Sequence, residues 1–215
     1  MMFYETKKND HGLPYNPFKS CIVPRPIGWI TSLNENGILN LAPYSYFNAV
    51  SDKPPMIMFA ATTKHHDGGV KDTLRNAEMK GEFVVNITPY SLSEEVNITA
   101  TDYDRNVSEV EQAKLEILPS NLIETPRIKG CPIHLECIYH KSIQLPLVDD
   151  KRTNRMVIAT VVGIHIDDNI IENGKIDVGL FNPIARLGYM EYSKLEKEDI
   201  FELERQYTKP GSIVV

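Results

Sequence analysis

"RPIGWITSLNENGILNLAPYSYFNAVSDKPPMIMFA", residues 25–60, has the pattern of a β-hairpin followed by an unusual polar segment. Its first part, residues 27–34, is rich in β-branched and apolar side chains and predicts a strand. The pair Asn36-Gly37 favours a tight turn because both residues tolerate positive φ, and the partner strand is expected to end at Pro43. The segment after it, residues 44–51, is too polar and too irregular for an ordinary core strand.

The rest of the chain adds more strands than helices. The further predicted strands are residues 54–62, 82–88, 131–145 and 155–171. Residues 70–81 predict a helix that ends at Gly81, and residues 91–114 predict short helical pieces. Because strands dominate, the sequence favours a mainly β fold, an antiparallel β-barrel with a few helices, over a doubly wound sheet.

The chain divides into three predicted regions. Residues 1–24 are expected to form an N-terminal arm, residues 25–192 the barrel domain, and residues 193–215 a C-terminal helical tail. The charged run at residues 192–207 predicts the helix of that tail, with one face in solvent.

Composition and charge exclude several classes of protein. The 215 residues carry a net charge of −6 at pH 7, which argues against a nucleic-acid or anionic-membrane partner, because both need a basic face. No signal peptide and no membrane span is recognisable, so we expect a cytoplasmic protein. Its three cysteines are an odd number without a C-x-x-C motif, and in that compartment they are expected to be reduced thiols.

The usual motifs of nucleotide and hydrolase chemistry are missing from the sequence. It has no G-x-G-x-x-G, no P-loop, no H-E-x-x-H and no G-x-S-x-G. The compact set "KHHD", residues 64–67, offers metal-ligand types without a third ligand at a helpful spacing, so we predict no metal site there. The roles of His65 and His66 remain open at this point.

Five motifs in order resemble the flavin reductase-like family, the FMN-binding split β-barrel group that includes flavoredoxin. They are "RPIGWITS" (residues 25–32), "NLAPYSYFNAVS" (40–51), "PP" (54–55), "KDT" with "GEFVVN" (71–73 and 81–86) and "RLGYMEY" (186–192). Together they span most of the chain. The loop "TTKHHDGGV" before "KDT" is longer than the short turn that is usual in the family.

This resemblance implies a fold, a cofactor and a class of reaction. It implies a homodimeric split barrel with FMN near the subunit interface, acting as an NAD(P)H:flavin oxidoreductase. The alternative is a non-enzymatic FMN electron carrier of the flavoredoxin type. Expected partners are flavin and nicotinamide nucleotides, a second copy of the chain, and an oxygenase or another electron acceptor. The sequence shows no signature that separates NADH from NADPH.

The resemblance also implies the residues that hold the cofactor, with no catalytic side chain because the flavin carries the chemistry. They are Arg25, Thr31, Ser32, Tyr44, Ser45, Tyr46, Phe47, Asn48, Ser51, Thr62, Thr63, Lys71, Asp72, Thr73 and Arg186. The residue types agree with this use. A segment bent at Pro43 frees backbone N–H groups for the ring, and a helix that begins near Lys71 after two glycines can bind the phosphate.

Each of these interpretations has a structural alternative. The aromatic segment could simply close a barrel, and a helix with Asp72 in its first turn is commonplace. Arg25 and Arg186 could form surface ion pairs instead of reaching the cofactor. Trp29 is expected to be core or interface, as large aromatic side chains usually are. A barrel without flavin, acting as an interaction module, also remains open.

Overall fold

The computed structural model describes residues 1–150 and 152–204. The strands are β1 Arg25–Pro26, β2 Gly28–Leu33, β3 Leu39–Tyr44, β4 Phe47–Asp52, β5 Pro55–Ala61, β6 Glu82–Ile87, β7 Ile117–Leu118, β8 Arg127–Ile128, β9 Ile133–Gln144, β10 Arg155–Ile166, β11 Ile171–Glu172, β12 Lys175–Ile176, β13 Ile184–Arg186 and β14 Tyr192–Lys194. The α-helices are α1 Asp72–Lys80, α2 Ser93–Ile98 and α3 Glu109–Gln112. None of the described helices is long and apolar enough to span a bilayer.

A seven-stranded antiparallel sheet forms the body of the protein and confirms the predicted mainly β fold. Its strand order is β3-β2-β6-β9-β10-β5-β4, so β3 and β4 lie at opposite edges although they follow each other in the chain. Only Ser45 and Tyr46 separate them. A two-residue connection between the two edges requires the sheet to curl until the edges meet. Because β3 and β4 are not paired in the described ladders, the barrel stays split at this corner.

Pro43 does not end its strand, contrary to our prediction. Strand β3 continues through Pro43 to Tyr44, where it pairs with Gly28 of β2. The physical reason is the position of β3 at the sheet edge. A proline lacks an N–H group, and an edge strand tolerates this loss on the side that has no neighbour.

The barrel interior is apolar and continuous. Phe59, Phe83 and Val157 are fully buried in one cluster, and Phe47 packs over Gly28, where an added Cβ would lie 2.8 Å from the Phe47 ring. A second cluster contains Trp29, which is fully buried and donates from Nε1 to Thr99 Oγ1 at 2.8 Å. The prediction of a core position for Trp29 is therefore confirmed.

The predicted C-terminal helix is not formed in the described residues. Residues 192–194 form strand β14, and Lys197–Asp199 form a single 3-10 turn. Strand β14 joins β13 and β1 in a small sheet of order β1-β13-β14. Pairing with β13 holds residues 192–194 in an extended conformation. Residues 205–215 of the predicted tail lie outside the described residues.

Candidate functional site

An open cleft of about 300 Å³ lies at the split between the two sheet edges. Eight of the predicted cofactor residues line it: Tyr44, Ser45, Tyr46, Thr62, Thr63, Lys71, Asp72 and Thr73. They come from the corner between β3 and β4, the loop after β5, and the beginning of α1. The fold therefore brings the aromatic corner and the helix N-terminus, which are distant in sequence, to one site.

The N-terminus of α1 opens into this cleft without a side-chain cap. Lys71 is the N-cap residue in an extended conformation, and no described side chain bonds to the first N–H groups of the helix. Those N–H groups carry partial positive charge and lack partners within the helix. Lys71 adds a full charge, although its Nζ donates to Asp102 Oδ1 at 2.6 Å. The terminus is suited to an anion.

The long loop before α1 is fastened to a distant segment, residues 102–105. Arg105 donates to both carboxylate oxygens of Asp67, at 2.6 and 2.8 Å, and also pairs with Asp72. Gly69 permits this approach, because a Cβ there would meet the Arg105 guanidinium at 2.6 Å. These bonds lower the pKa of Asp67, mainly through Arg105. The additional loop length is thus held in a defined conformation rather than left free.

A network of buried polar side chains supports the floor of the cleft. Asn40 donates to Thr73 Oγ1 at 2.8 Å, and Asn76 donates to Ser32 Oγ at 3.1 Å. Above this network lies Tyr44, and desolvation raises the pKa of its phenol above the ordinary range. Since Thr73 is 1% exposed, its hydroxyl holds the Asn40 side chain in place.

Glu109 places a buried carboxyl group at the same floor. It is 6% exposed and accepts the backbone N–H of Leu41 at 2.9 Å through Oε2. Burial raises the pKa of Glu109 to about 7, and the nearby charge of Asp72 acts in the same direction.

The pKa of Asp102 is shifted in the opposite direction. Its partial burial opposes ionisation, but the hydrogen bond and charge of Lys71 lower its pKa overall.

Seven predicted cofactor residues do not line the cleft. Thr31 is buried and donates to Pro126 O at 2.7 Å, and Ser32 accepts from Asn76 beneath the cleft. Phe47 belongs to the barrel core, while Asn48 is exposed and accepts the N–H of Ala49. Ser51 lies at a register irregularity between β4 and β5. The remaining two, Arg25 and Arg186, line a second cavity beside the cleft.

Several residues that line or organise the cleft were missed by sequence reasoning. They are Lys19, Asn40, His65, residues 99–103, Arg105 and Glu109. Most lie in residues 91–114, which we described only as polar and partly helical. One signal was available: "TDYDR", residues 101–105, clusters charges of both signs, and residues 64–72 carry both signs as well.

His65, His66 and Asp102 each place a ligand atom within 4.8 Å of the others. His65 is already engaged, since its Nε2 lies 2.9 Å from Tyr103 O. Asp102 accepts from Lys71, and an ammonium group beside a carboxylate competes with a cation. His66 Nε2 lies 2.9 Å from Asp104 Oδ1, so all three side chains have partners within the protein.

Comparisons with known proteins agree on one family. The family described as "Flavin reductase like domain" matches residues 20–190. Nitrilotriacetate monooxygenase component B from Bacillus cereus is 37% identical with a TM-score of 0.85, over 94% of this chain and 98% of that one. The 2-nitrobenzoate 2-nitroreductase NbaA from Pseudomonas fluorescens is 29% identical with a TM-score of 0.80, over 98% and 99%. A split-barrel protein from Shewanella frigidimarina, 19% identical with a TM-score of 0.79 over 96% and 100%, shares the fold.

Proposed function

Because the chain belongs to the flavin reductase-like family, we propose that it is an FMN-dependent oxidoreductase, an NAD(P)H:flavin reductase. The observation that carries the proposal is the uncapped N-terminus of α1, which opens into a cleft lined on its other side by the Tyr44–Tyr46 corner. One end of this cleft suits a phosphate group, and the other offers aromatic and backbone surface to a flat ring.

The residues present fit an FMN molecule by their chemistry. Lys71 and the first N–H groups of α1 would hold the phosphate, with Thr62 and Thr63 as further hydroxyl donors. Tyr44, Ser45 and Tyr46 would hold the isoalloxazine ring. When bound, the flavin supplies hydride acceptance from a reduced nicotinamide. This chain's residues orient the ring, exclude water from one face, and fix the charge around it.

The electron donor and acceptor follow from the same proposal. We propose NADH or NADPH as the donor. The B. cereus protein is a component of a monooxygenase, which supports a partner oxygenase or a similar electron acceptor for this chain. If the protein instead exchanges electrons without oxidising a nicotinamide, it is the FMN electron carrier of the alternative interpretation.

One experiment tests cofactor and activity together. We expect flavin released from the denatured protein to co-chromatograph with FMN, and we expect NADH or NADPH to bleach the flavin absorption of the holoprotein without oxygen. Recovery of FAD alone would contradict the cofactor. Bound FMN that neither nicotinamide reduces would favour the electron carrier, and a colourless protein that ignores added FMN would favour the interaction module.

We also propose a homodimer. The edge strands β3 and β4 and the outward residues of β10, such as Ile164, which is 54% exposed, leave apolar surface and open edges that pairing would cover. Light scattering at micromolar concentration is expected to give about twice the chain mass, since the dimer is the commonest closed oligomer. A monomer that still binds flavin would rule out an interface role in cofactor binding.

A further inference from the structure

A second cavity of about 220 Å³ adjoins the cleft. The two share Lys19, Pro43, Ser45 and Ala100 along their border. The walls of the second cavity also contain Arg25, Arg186, Tyr189 and Tyr192. No residue of α1 or of the loop before it lines this space, so it is separate from the anion site at Lys71.

The charged side chains that line this cavity are all positive among the described residues. The described residues that line it include three cations and no aspartate or glutamate, in a chain of net charge −6. The ladder between β1 and β13 places Arg25 directly opposite Arg186, and like charges in such a pair destabilise a sheet. Within the described residues, none of the ion pairs within 4.0 Å involves Lys19, Arg25 or Arg186.

The two arginines are held in place by uncharged groups. Arg25 is 6% exposed and donates to the carbonyl oxygens of Lys19, Ile22 and Leu187, but its buried Nε has no described hydrogen-bond partner. Arg186 donates to Tyr189 O and lies 4.4 Å over the ring of Tyr192. An unpaired buried donor is costly, and here it belongs to a residue that lines the cavity.

We propose that this cavity is a second anion subsite, which binds a phosphate group of the electron donor. The inference rests on the proposed function, because a nicotinamide dinucleotide that reaches a flavin in the cleft must place its pyrophosphate next to that cleft. Arg186 and Lys19 supply positive charge to the anion. Arg25, which is buried in the cavity wall, adds a further positive charge. Guanidinium groups suit phosphate, since their planar donors match its oxygens.

The test measures binding without turnover. Inorganic pyrophosphate, NAD⁺, NADP⁺ and nicotinamide mononucleotide are titrated by calorimetry into the FMN-loaded protein. Arg186→Gln and Lys19→Gln are each expected to weaken pyrophosphate and NAD⁺ roughly tenfold, the lower range for a lost charge-assisted bond. Lys141→Gln, which removes an exposed positive charge from β9, serves as the matched control. Lys19→Gln keeps the test valid if Arg186→Gln fails to fold, because the Lys19 side chain is exposed.

The ligands separate the possible sources of the anion. Equal losses for NAD⁺ and NADP⁺ would place the pyrophosphate in the cavity, and a loss confined to NADP⁺ would place its additional phosphate there; both support the subsite. Unchanged pyrophosphate and dinucleotide affinities would overturn it. FMN affinity is measured separately, by titration into the apoprotein of each variant. If Arg186→Gln and Lys19→Gln weaken FMN but leave the dinucleotides unaffected, the proposal is also overturned, because the cavity would then hold the FMN phosphate. Absence of NAD(P)H oxidation would count against the proposed function alone.

Discussion

Lys71→Ala is expected to weaken FMN binding roughly 10- to 150-fold, the range for losing a charge-assisted hydrogen bond of about 1.5–3 kcal/mol. Lys71 stands at the uncapped N-terminus of α1, where its charge adds to that of the free N–H groups. Riboflavin lacks the phosphate, so its affinity should be low in the wild type and change little in the variant. Titration of each flavin into apoprotein, followed by quenching of flavin fluorescence, measures both.

A substitution at Asp102 provides a second test of the phosphate site. Its carboxylate accepts from Lys71 at 2.6 Å and would compete with a phosphate for that ammonium group. Asp102→Asn is therefore expected to tighten FMN binding while leaving riboflavin unaffected. Opposite signs from two neighbouring substitutions cannot come from general destabilisation, which would weaken both flavins in both variants.

Arg75→Gln is a suitable control, because Arg75 lies on α1 but pairs with Glu35 at 2.6 Å and does not line the cleft. Equal losses of FMN and riboflavin in Lys71→Ala would contradict a phosphate at α1. A folded Lys71→Ala protein with unchanged FMN affinity would do so too, and Arg25 would then be the next candidate.

Local patterns predicted the scaffold well. The Asn36-Gly37 turn joins β2 to β3, and Gly37 has φ of +77°; Gly81 ends α1 in the left-handed conformation at φ of +75°. Both follow from the freedom of glycine at positive φ, which is a property of the residue itself. Such signals need no knowledge of distant contacts and were therefore readable from the sequence.

Long-range pairing was not readable in the same way. Residues 192–199 have the charged composition of a helix, but residues 192–194 form strand β14, which pairs with β13. Pro43 stays in a strand only because β3 is an edge, and edge position is a property of the whole sheet. Asp102 and Glu109 line the cleft, and Arg105 holds the loop beside it, although all three are distant in sequence from both motifs. The motifs thus located the helix terminus and the aromatic corner, whereas the charges opposite them required the structure.

The remaining large effect concerns Glu109 and pH. Its pKa is raised to about 7 in the folded protein, first by burial, from an ordinary value of 4.5. The folded protein therefore binds this proton more tightly than the unfolded chain does. The resulting stability is fully present below about pH 4.5 and is lost as the pH rises through about 7. The difference corresponds to about 3 kcal/mol once Glu109 is ionised in both states.

Glu109→Gln should remove this pH dependence, because glutamine stays neutral and its carbonyl oxygen can still accept from Leu41 N–H. Urea unfolding of the apoprotein is expected to give similar stabilities for variant and wild type at pH 4.5, and a variant more stable by up to about 3 kcal/mol at pH 8.5. Glu111→Gln, an exposed position on the same helix, should show no such divergence. A constant offset between Glu109→Gln and wild type at both pH values would mean that Glu109 does not titrate in this range, and that the cleft floor carries a negative charge at neutral pH.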